Sequence, residues 1–448
     1  MRALRQHRLF RDHPERHQLV DTAVPLALTA FSFALMSAVD TMFVTGLGVA
    51  ELAGVGLGGM LTFVAIITTG SLLRGLKICM VQAEGRGEPS LGYLGAGLRI
   101  GVRATLPTMA VLIVLGFLTP HLLTTDASAL AARDYIWVRC TSIPMLFALM
   151  SVREAYYGRG DTRTPLRAIL AANVLNAVLN AVTIEVFGWG VRGVALTTVL
   201  AVALQLVWLA RGQRAFGFGW DAATPAHTRE ILAIGLPFAG QKLLETGAFT
   251  VIAAMIARTG DSAAAAHQIG LQLLLLGNLP SVALGDAVSL VAGRLAGQGD
   301  VLRARSVTAF ALRVGLAWTF VVGTGAAALA PLIGPRLVPG DPEIVWVLWA
   351  CSALLMLEST SLVAQGYLRA TGDPRYPSVV VMVNAVLISP ALAAVGIYGF
   401  GLHASAAWLA FLVEVSASTG LLWRRIHRRT VALSSASGFG YNPSDAAA

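Results

Sequence analysis

Charge is what this chain has least of. Of 448 residues, 13% are Asp, Glu, Lys or Arg, against 56% hydrophobic ones. The mean hydropathy is +0.70. A soluble domain of this length cannot bury so much apolar surface, which excludes an ordinary globular protein. Cysteine is scarce as well. Cys79, Cys140 and Cys351 have no paired spacing, so neither a disulfide framework nor a zinc site is indicated. No Gly-x-x-x-x-Gly-Lys-Ser/Thr stretch occurs, which argues against ATP drive from this chain. Gly188-x-Gly190-x-x-Gly193 fits a dinucleotide fingerprint by its letters, but it joins two apolar segments and lacks the βαβ context. Ala283-Leu284-Gly285-Asp286 lacks the first Gly of an intramembrane aspartyl protease motif. His13 and His17 have i,i+4 spacing but lie in a charged arm without Cys partners, and no metal site is read there. The sequence therefore predicts no enzyme, no cofactor and no resident metal.

What the chain does have is apolar length. Twelve stretches of about 20 residues, each able to cross a ~30 Å hydrocarbon layer, fall near 19–45, 52–80, 92–118, 131–155, 163–187, 190–211, 229–257, 261–292, 303–332, 342–368, 375–397 and 400–423. They must be helical, because lipid offers no partners to an open backbone. The sequence also repeats itself at an offset of 212 residues. Pro25 answers to Pro237, Gly48 to Gly260 and Gly87-Glu88 to Gly299-Asp300; Gly160-Asp161-x-Arg163-x-Pro165 returns as Gly372-Asp373-x-Arg375-x-Pro377. An even number of spans per half makes the repeat parallel. The expected fold is an all-α integral membrane protein, with twelve transmembrane helices in two six-helix lobes. A basic arm (1–18) precedes the N-lobe (19–211), a linker (212–228) leads to the C-lobe (229–423), and a disordered Ser/Gly/Ala tail (424–448) ends the chain.

The basic residues orient the spans. With both termini cytoplasmic, Arg2, Arg5, Arg8, Arg11 and Arg16, the 153–167 loop, the linker flanks and Arg424, Arg425, Arg428 and Arg429 all fall inside. The other face has only Arg133, Arg192, Arg258 and Arg336, as the positive-inside rule requires. The net charge of +9 thus reports topology in a plasma membrane (bacterial inner membrane), with contact to lipid and none to nucleic acid.

Ionisable residues inside spans are costly and mark functional sites. Asp40 lies in the first span, Glu245 in the seventh, eight residues after Pro237, and Glu358 in the tenth. Asn176 and Asn180 are spaced i,i+4 on one helix face, with Thr198 on the next span. Lys242, three residues before Glu245, shares its face; its partner is either Glu245 or Asp286. Arg74 and Lys77, toward span ends, suit snorkelling, and Arg139, Arg313 and Glu414 suit buried ion pairs.

The whole chain resembles the multidrug and toxic compound extrusion (MATE) transporters. The matching residues are Asp40 with Phe43, Gly46 and Gly48; Gly235-Leu236-Pro237 with Glu245; Ala265-Ala266-His267-Gln268; Leu290-Val291-Ala292-Gly293 running into Gly297-Gln298-Gly299; and Gly366-Tyr367-Leu368-Arg369 running into Gly372-Asp373. The resemblance implies that Asp40, Glu245 and Glu358 serve cation coupling or drug binding. Some relatives have Asp where Asn180 stands, so this lobe has one acid fewer. The expected function is a secondary antiporter, functional as a monomer, that exports amphipathic organic cations in exchange for H⁺ or Na⁺. Asp40, Asn176, Asn180 and Thr198 are the candidate coupling set, with Na⁺ passing transiently at Asp40. Lys242, Glu245 and Glu358 are the candidate substrate set. The alternative is a flippase or exporter of a lipid-linked or anionic metabolite.

Overall fold

The structure, a computed structural model, describes residues 14–340 and 343–436. Most of the N-terminal arm and the end of the tail therefore lie outside the described residues. Those described contain helices and no strand. Ten helical stretches are individually long and apolar enough to cross a membrane, and a bent pair makes an eleventh. We label the helices α1 (Pro14–Thr45), α2 (Val49–Gly70), α3 (Arg74–Arg86), α4 (Leu91–Leu122), α5 (Asp126–Cys140), α6 (Ile143–Gly158), α7 (Arg163–Ala181), α8 (Gly190–Gln213), α9 (Pro225–Ala257), α10 (Asp261–Gly297), α11 (Val301–Leu337), α12 (Glu343–Ala370), α13 (Arg375–Ala394) and α14 (Ala404–Ala436). The twelfth expected span is α9, whose hydropathy is interrupted by Gln241, Lys242 and Glu245.

Local chemistry explains the breaks. The fourth span bends by 52° between α5 and α6. Pro144 follows the break, and its ring cannot donate to, and clashes with, the carbonyl four residues back. At the break the Thr141 and Ser142 hydroxyls add to the backbone turn by donating to the carbonyls of Val138 and Arg139, each at 2.7 Å. Within α1, Pro25 opens the ladder and the Thr29 hydroxyl donates to the Pro25 carbonyl at 2.8 Å. A single 3₁₀ turn, Ser71–Leu73, joins α2 to α3. One expectation fails: α14 continues to Ala436, well past Arg424. Ala, Leu and Arg outweigh Ser in 424–436, and they are better helix formers than Ser/Gly/Ala composition suggested.

The repeat is visible in the backbone. Gly48 and Gly260 adopt φ of 142° and 147°, and Gly160 and Gly372 adopt 83° and 86°. These are left-handed angles that a Cβ disfavours. Wide π turns, at Val182–Val186 and Val395–Gly399, close the two matching helices α7 and α13.

Contacts divide the chain into two compact units. The first comprises residues up to Thr246 together with Asp286–Val307; the second comprises Gly247–Gly285 and Thr308 onward. Packing thus cuts through α9 and α10, whereas the repeat boundary lies in the linker. Buried Leu76, Met80, Leu94, Ile136 and Phe147 centre the first unit. Ile252, Val347, Leu355, Trp408 and Phe411 centre the second. Large apolar side chains such as Leu106, Phe117, Val321 and Leu387 remain exposed, as a lipid-facing surface requires.

Within the first unit, α3 and the end of α10 meet through glycine. A Cβ on Gly85 would stand 2.5 Å from the Arg294 carbonyl oxygen and 3.0 Å from the Gly297 Cα. A Cβ on Gly297 would stand 2.7 Å from the Gln82 carbonyl oxygen and 3.1 Å from the Gly85 Cα. Both contacts join repeat mates reciprocally, since 82 maps to 294 and 85 to 297. Gly85→Val is expected to destabilise the protein by about 1–3 kcal/mol through overpacking. Gly325→Ala, with nothing within 4 Å of its Cβ, is expected to leave it unchanged or slightly stabilised. Melting of the purified protein in detergent checks both; equal midpoints for the two variants would refute the close approach.

Candidate functional site

The first unit brings Asp40, Asn176, Asn180 and Thr198 into one buried cluster. Asp40 is 8% exposed, and Asn176 and Asn180 are fully buried. Asn180 Nδ2 donates to Asp40 Oδ1 at 2.7 Å, and the Thr198 hydroxyl donates to Oδ2 at 3.0 Å. The i,i+4 spacing on α7 lets Asn180 Nδ2 also approach Asn176 Oδ1, at 3.4 Å. Thr197 donates a short bond to Asn180 Oδ1 and accepts from Asn176 Nδ2 at 3.3 Å. Asn173 ties α7 to α1 by donating to the Ser32 carbonyl at 2.9 Å.

This network can serve either protonation state of Asp40. The Thr198 hydroxyl lies 3.0 Å from Asp40 Oδ2 and 3.1 Å from the Val194 carbonyl oxygen, but it has one proton. It donates to the carboxylate when Asp40 is ionised. When Asp40 is protonated, the acid can donate to Thr198, whose own proton turns to Val194. Asn176, Asn180, Thr197 and Thr198 also supply neutral oxygens of the kind that a hard monovalent cation prefers.

Asp40 borders a cavity of about 630 Å³ lined largely by apolar residues, among them Phe33, Met36, Met60 and Phe63. That volume suits a drug-sized molecule. Lys242 and Arg139 also line it; Glu245 does not. The open question over Lys242 resolves toward Glu245, whose Oε2 accepts from its ammonium at 2.7 Å.

Arg74 and Lys77 do not snorkel. The Arg74 guanidinium reaches both Asp286 oxygens, at 3.2 and 2.9 Å, and Lys77 reaches Oδ1 at 2.8 Å. Lys77 also lies 4.0 Å from Glu154, and its side chain is 3% exposed. Snorkelling needed these cations to reach the headgroups, but half-buried Asp286 and buried Glu154 hold them instead. The repeat offset was the signal for this cluster, because position 74 maps onto 286. Arg139 departs in the other direction. It has no ion pair among the described residues, and its Nε and Nη1 are shielded without a hydrogen-bond partner. The third candidate acid, Glu358, is half-buried on α12 in the second unit. That unit has a polar chain of its own: Asn384 donates to Ser418 at 2.9 Å, and Ser418 donates to buried Glu414 at 3.1 Å. The spacing of four between Glu414 and Ser418 was the available clue to that bond.

Comparison with known proteins agrees with this architecture. The MatE family model matches residues 25–182 and again 237–395, once in each repeat. The chain is 27% identical over 435 residues to the probable multidrug resistance protein NorM of Burkholderia pseudomallei, covering 92% of each chain. It is 29% identical over 352 residues to the chloroplastic Protein DETOXIFICATION 44 of Arabidopsis thaliana, covering 70% of this chain and 62% of that protein. A crystal structure of MATE in the bent conformation superposes with a TM-score of 0.84 at 18% identity, over 94% of this chain and 97% of that one. The fold is thus the two-lobe, twelve-helix arrangement of those transporters. The chain belongs to the MatE family of multi-pass membrane transporters.

Proposed function

We propose that this protein is a secondary active antiporter that exports amphipathic organic cations in exchange for H⁺ or Na⁺. The observation that carries the reading is Asp40, a buried carboxylate whose hydrogen-bond partners tolerate loading and unloading, set beside a drug-sized apolar cavity. Asp40, with Asn176, Asn180 and Thr198, binds the coupling ion. Glu245, ion-paired with Lys242, and Glu358 attract the cationic substrate. Loading Asp40 removes a charge from the cavity wall and biases the population between the two access states. Both termini lie in the cytoplasm of a plasma membrane, on the side where the basic loops collect.

Everted vesicles test this. Export of a cationic dye is expected when a pH gradient or a Na⁺ gradient is imposed, each in the absence of the other. Dye movement that ignores both gradients would overturn the antiport reading.

A further inference from the structure

The segment between the two repeats reads as a tether, and residues 214–224 form no helix. Yet it is fastened to the first unit along its whole length. At its start Gln213 Nε2 donates to the Gly217 carbonyl at 2.6 Å. Arg159, just past α6, donates to Gln213 Oε1 at 2.5 Å and lies over the Phe216 ring, 4.6 Å from its centroid. In the middle, Arg99 of α4 gives its two terminal nitrogens to two carbonyls, that of Trp220 at 2.6 Å and that of Ala223 at 3.0 Å. At the end, Thr224 caps α9. The His227 amide donates to Thr224 Oγ1 at 3.4 Å, and the Thr224 amide donates back to His227 Nδ1 at 3.2 Å. The His227 ring stands edge-on to Tyr93 with centroids 4.4 Å apart, and the Tyr93 hydroxyl donates to Glu230 at 2.6 Å.

A flexible linker leaves its carbonyls to water and samples many end-to-end distances. Here one charged fork takes two of them, through bonds stronger than those between neutral groups. Steric fit adds to this. Gly219 turns the chain with a φ of 68°. A Cβ there would strike the Leu91 carbonyl oxygen, and a Cβ on Gly95 would strike that of Gly219. The segment and α4 are thus matched backbone to backbone. Ala223 is buried in the same apolar core as Tyr93 and Leu94.

We propose that residues 214–230 are a strap belonging to the first unit, that Arg99 is the positioning residue that holds it, and that the strap travels with that unit through the transport cycle. The last clause rests on the protein being the alternating-access antiporter proposed above. The repeat junction lies in this segment, but the mechanical junction lies beyond Glu230, along α9. A change of access state therefore leaves the contacts of Arg99, Gly219 and Tyr93 in place.

The test uses the full-length protein carrying Asp221→Cys and Arg103→Cys. These put one thiol on the strap and one on α4, a helical turn from Arg99. Both sites are exposed, and the native Cys79, Cys140 and Cys351 are buried. Spin labels on the pair, read by pulsed EPR in lipid nanodiscs, are expected to give one narrow distance distribution. It should stay unchanged with pH, Na⁺ and tetraphenylphosphonium. Arg99→Met should broaden it. Arg99→Lys, which can reach one carbonyl at a time, should broaden it less, and it covers the case in which Arg99→Met fails to fold. Bridging the two thiols with a short bismaleimide should leave dye export from proteoliposomes at the rate of the unbridged pair. A broad distribution without any Arg99 substitution, a shift with ligand or ion, the same narrow width in both Arg99 variants, or loss of export on bridging would each overturn the proposal. If the unbridged protein moves no dye, the antiport reading falls, and the distances alone decide whether the strap is fixed and held by Arg99.

Discussion

Asp40→Asn is expected to abolish gradient-driven export while leaving the protein folded and able to bind tetraphenylphosphonium. The substitution keeps the shape and fixes the charge at zero, so it freezes the site in its loaded form. The surroundings accept the amide. Its oxygen can take the bond from Asn180 Nδ2, and its nitrogen can donate to Thr198, whose proton then goes to the Val194 carbonyl. No buried donor is left facing another donor, so the cost to stability should stay near 1 kcal/mol. Proteoliposomes with imposed H⁺ or Na⁺ gradients give the export rate, and titration of the same preparation gives the affinity. Loss of affinity with ion-coupled counterflow retained would show Asp40 to be a substrate ligand, and the assignment of coupling to this cluster would fall.

Asp286→Ala should act on stability instead, and strongly. It removes the acid that both Arg74 and Lys77 contact, leaving Lys77 its longer pair with Glu154 at 4.0 Å and Arg74 no ion pair among the described residues. Stripping one partner from a buried ionic cluster typically costs 3–5 kcal/mol. Asp286 keeps 29% of its side chain exposed, so the lower end, about 3 kcal/mol, is expected. The Arg74→Met/Asp286→Leu double variant removes both charges, leaves the Lys77–Glu154 pair, and should recover much of the loss. Thermal unfolding in detergent at one scan rate compares the three proteins. A wild-type midpoint for Asp286→Ala would mean that water already screens the cluster.

Much of the architecture is legible in the residues, because the bilayer imposes so few solutions. Apolar length alone places the spans, and the offset repeat groups them. The Asp40 cluster is legible from the i,i+4 spacing of Asn176 and Asn180, a relation that survives whatever the tertiary structure does. The Lys242–Glu245 pair follows from the same rule. Long-range partners are another matter. Nothing near Lys77 in the sequence announces Asp286, and a cation near a span end is ordinarily explained by water. Arg139 departs from the rule that buried charge is ion-paired, since it makes no salt bridge among the described residues. The last helix was cut short because Ser, Gly and Ala after residue 430 masked the Arg- and Leu-rich turns before them.

The reciprocal contact of α3 with the end of α10 has an ancestral meaning. Residues that touch their own repeat mates sit on a local two-fold relation, as in an isologous interface. In a dimer of identical half-length chains, position 74 would oppose a copy of itself, Arg against Arg or Asp against Asp, and would repel. Gly85 faces its mate Gly297 and tolerates that identity; Arg74 faces Asp286 and does not. Only after duplication can the two copies of one codon diverge to opposite signs. The ion pair between them is thus a mark of divergence between the two copies, and it commits each half to the other rather than to a second copy of itself.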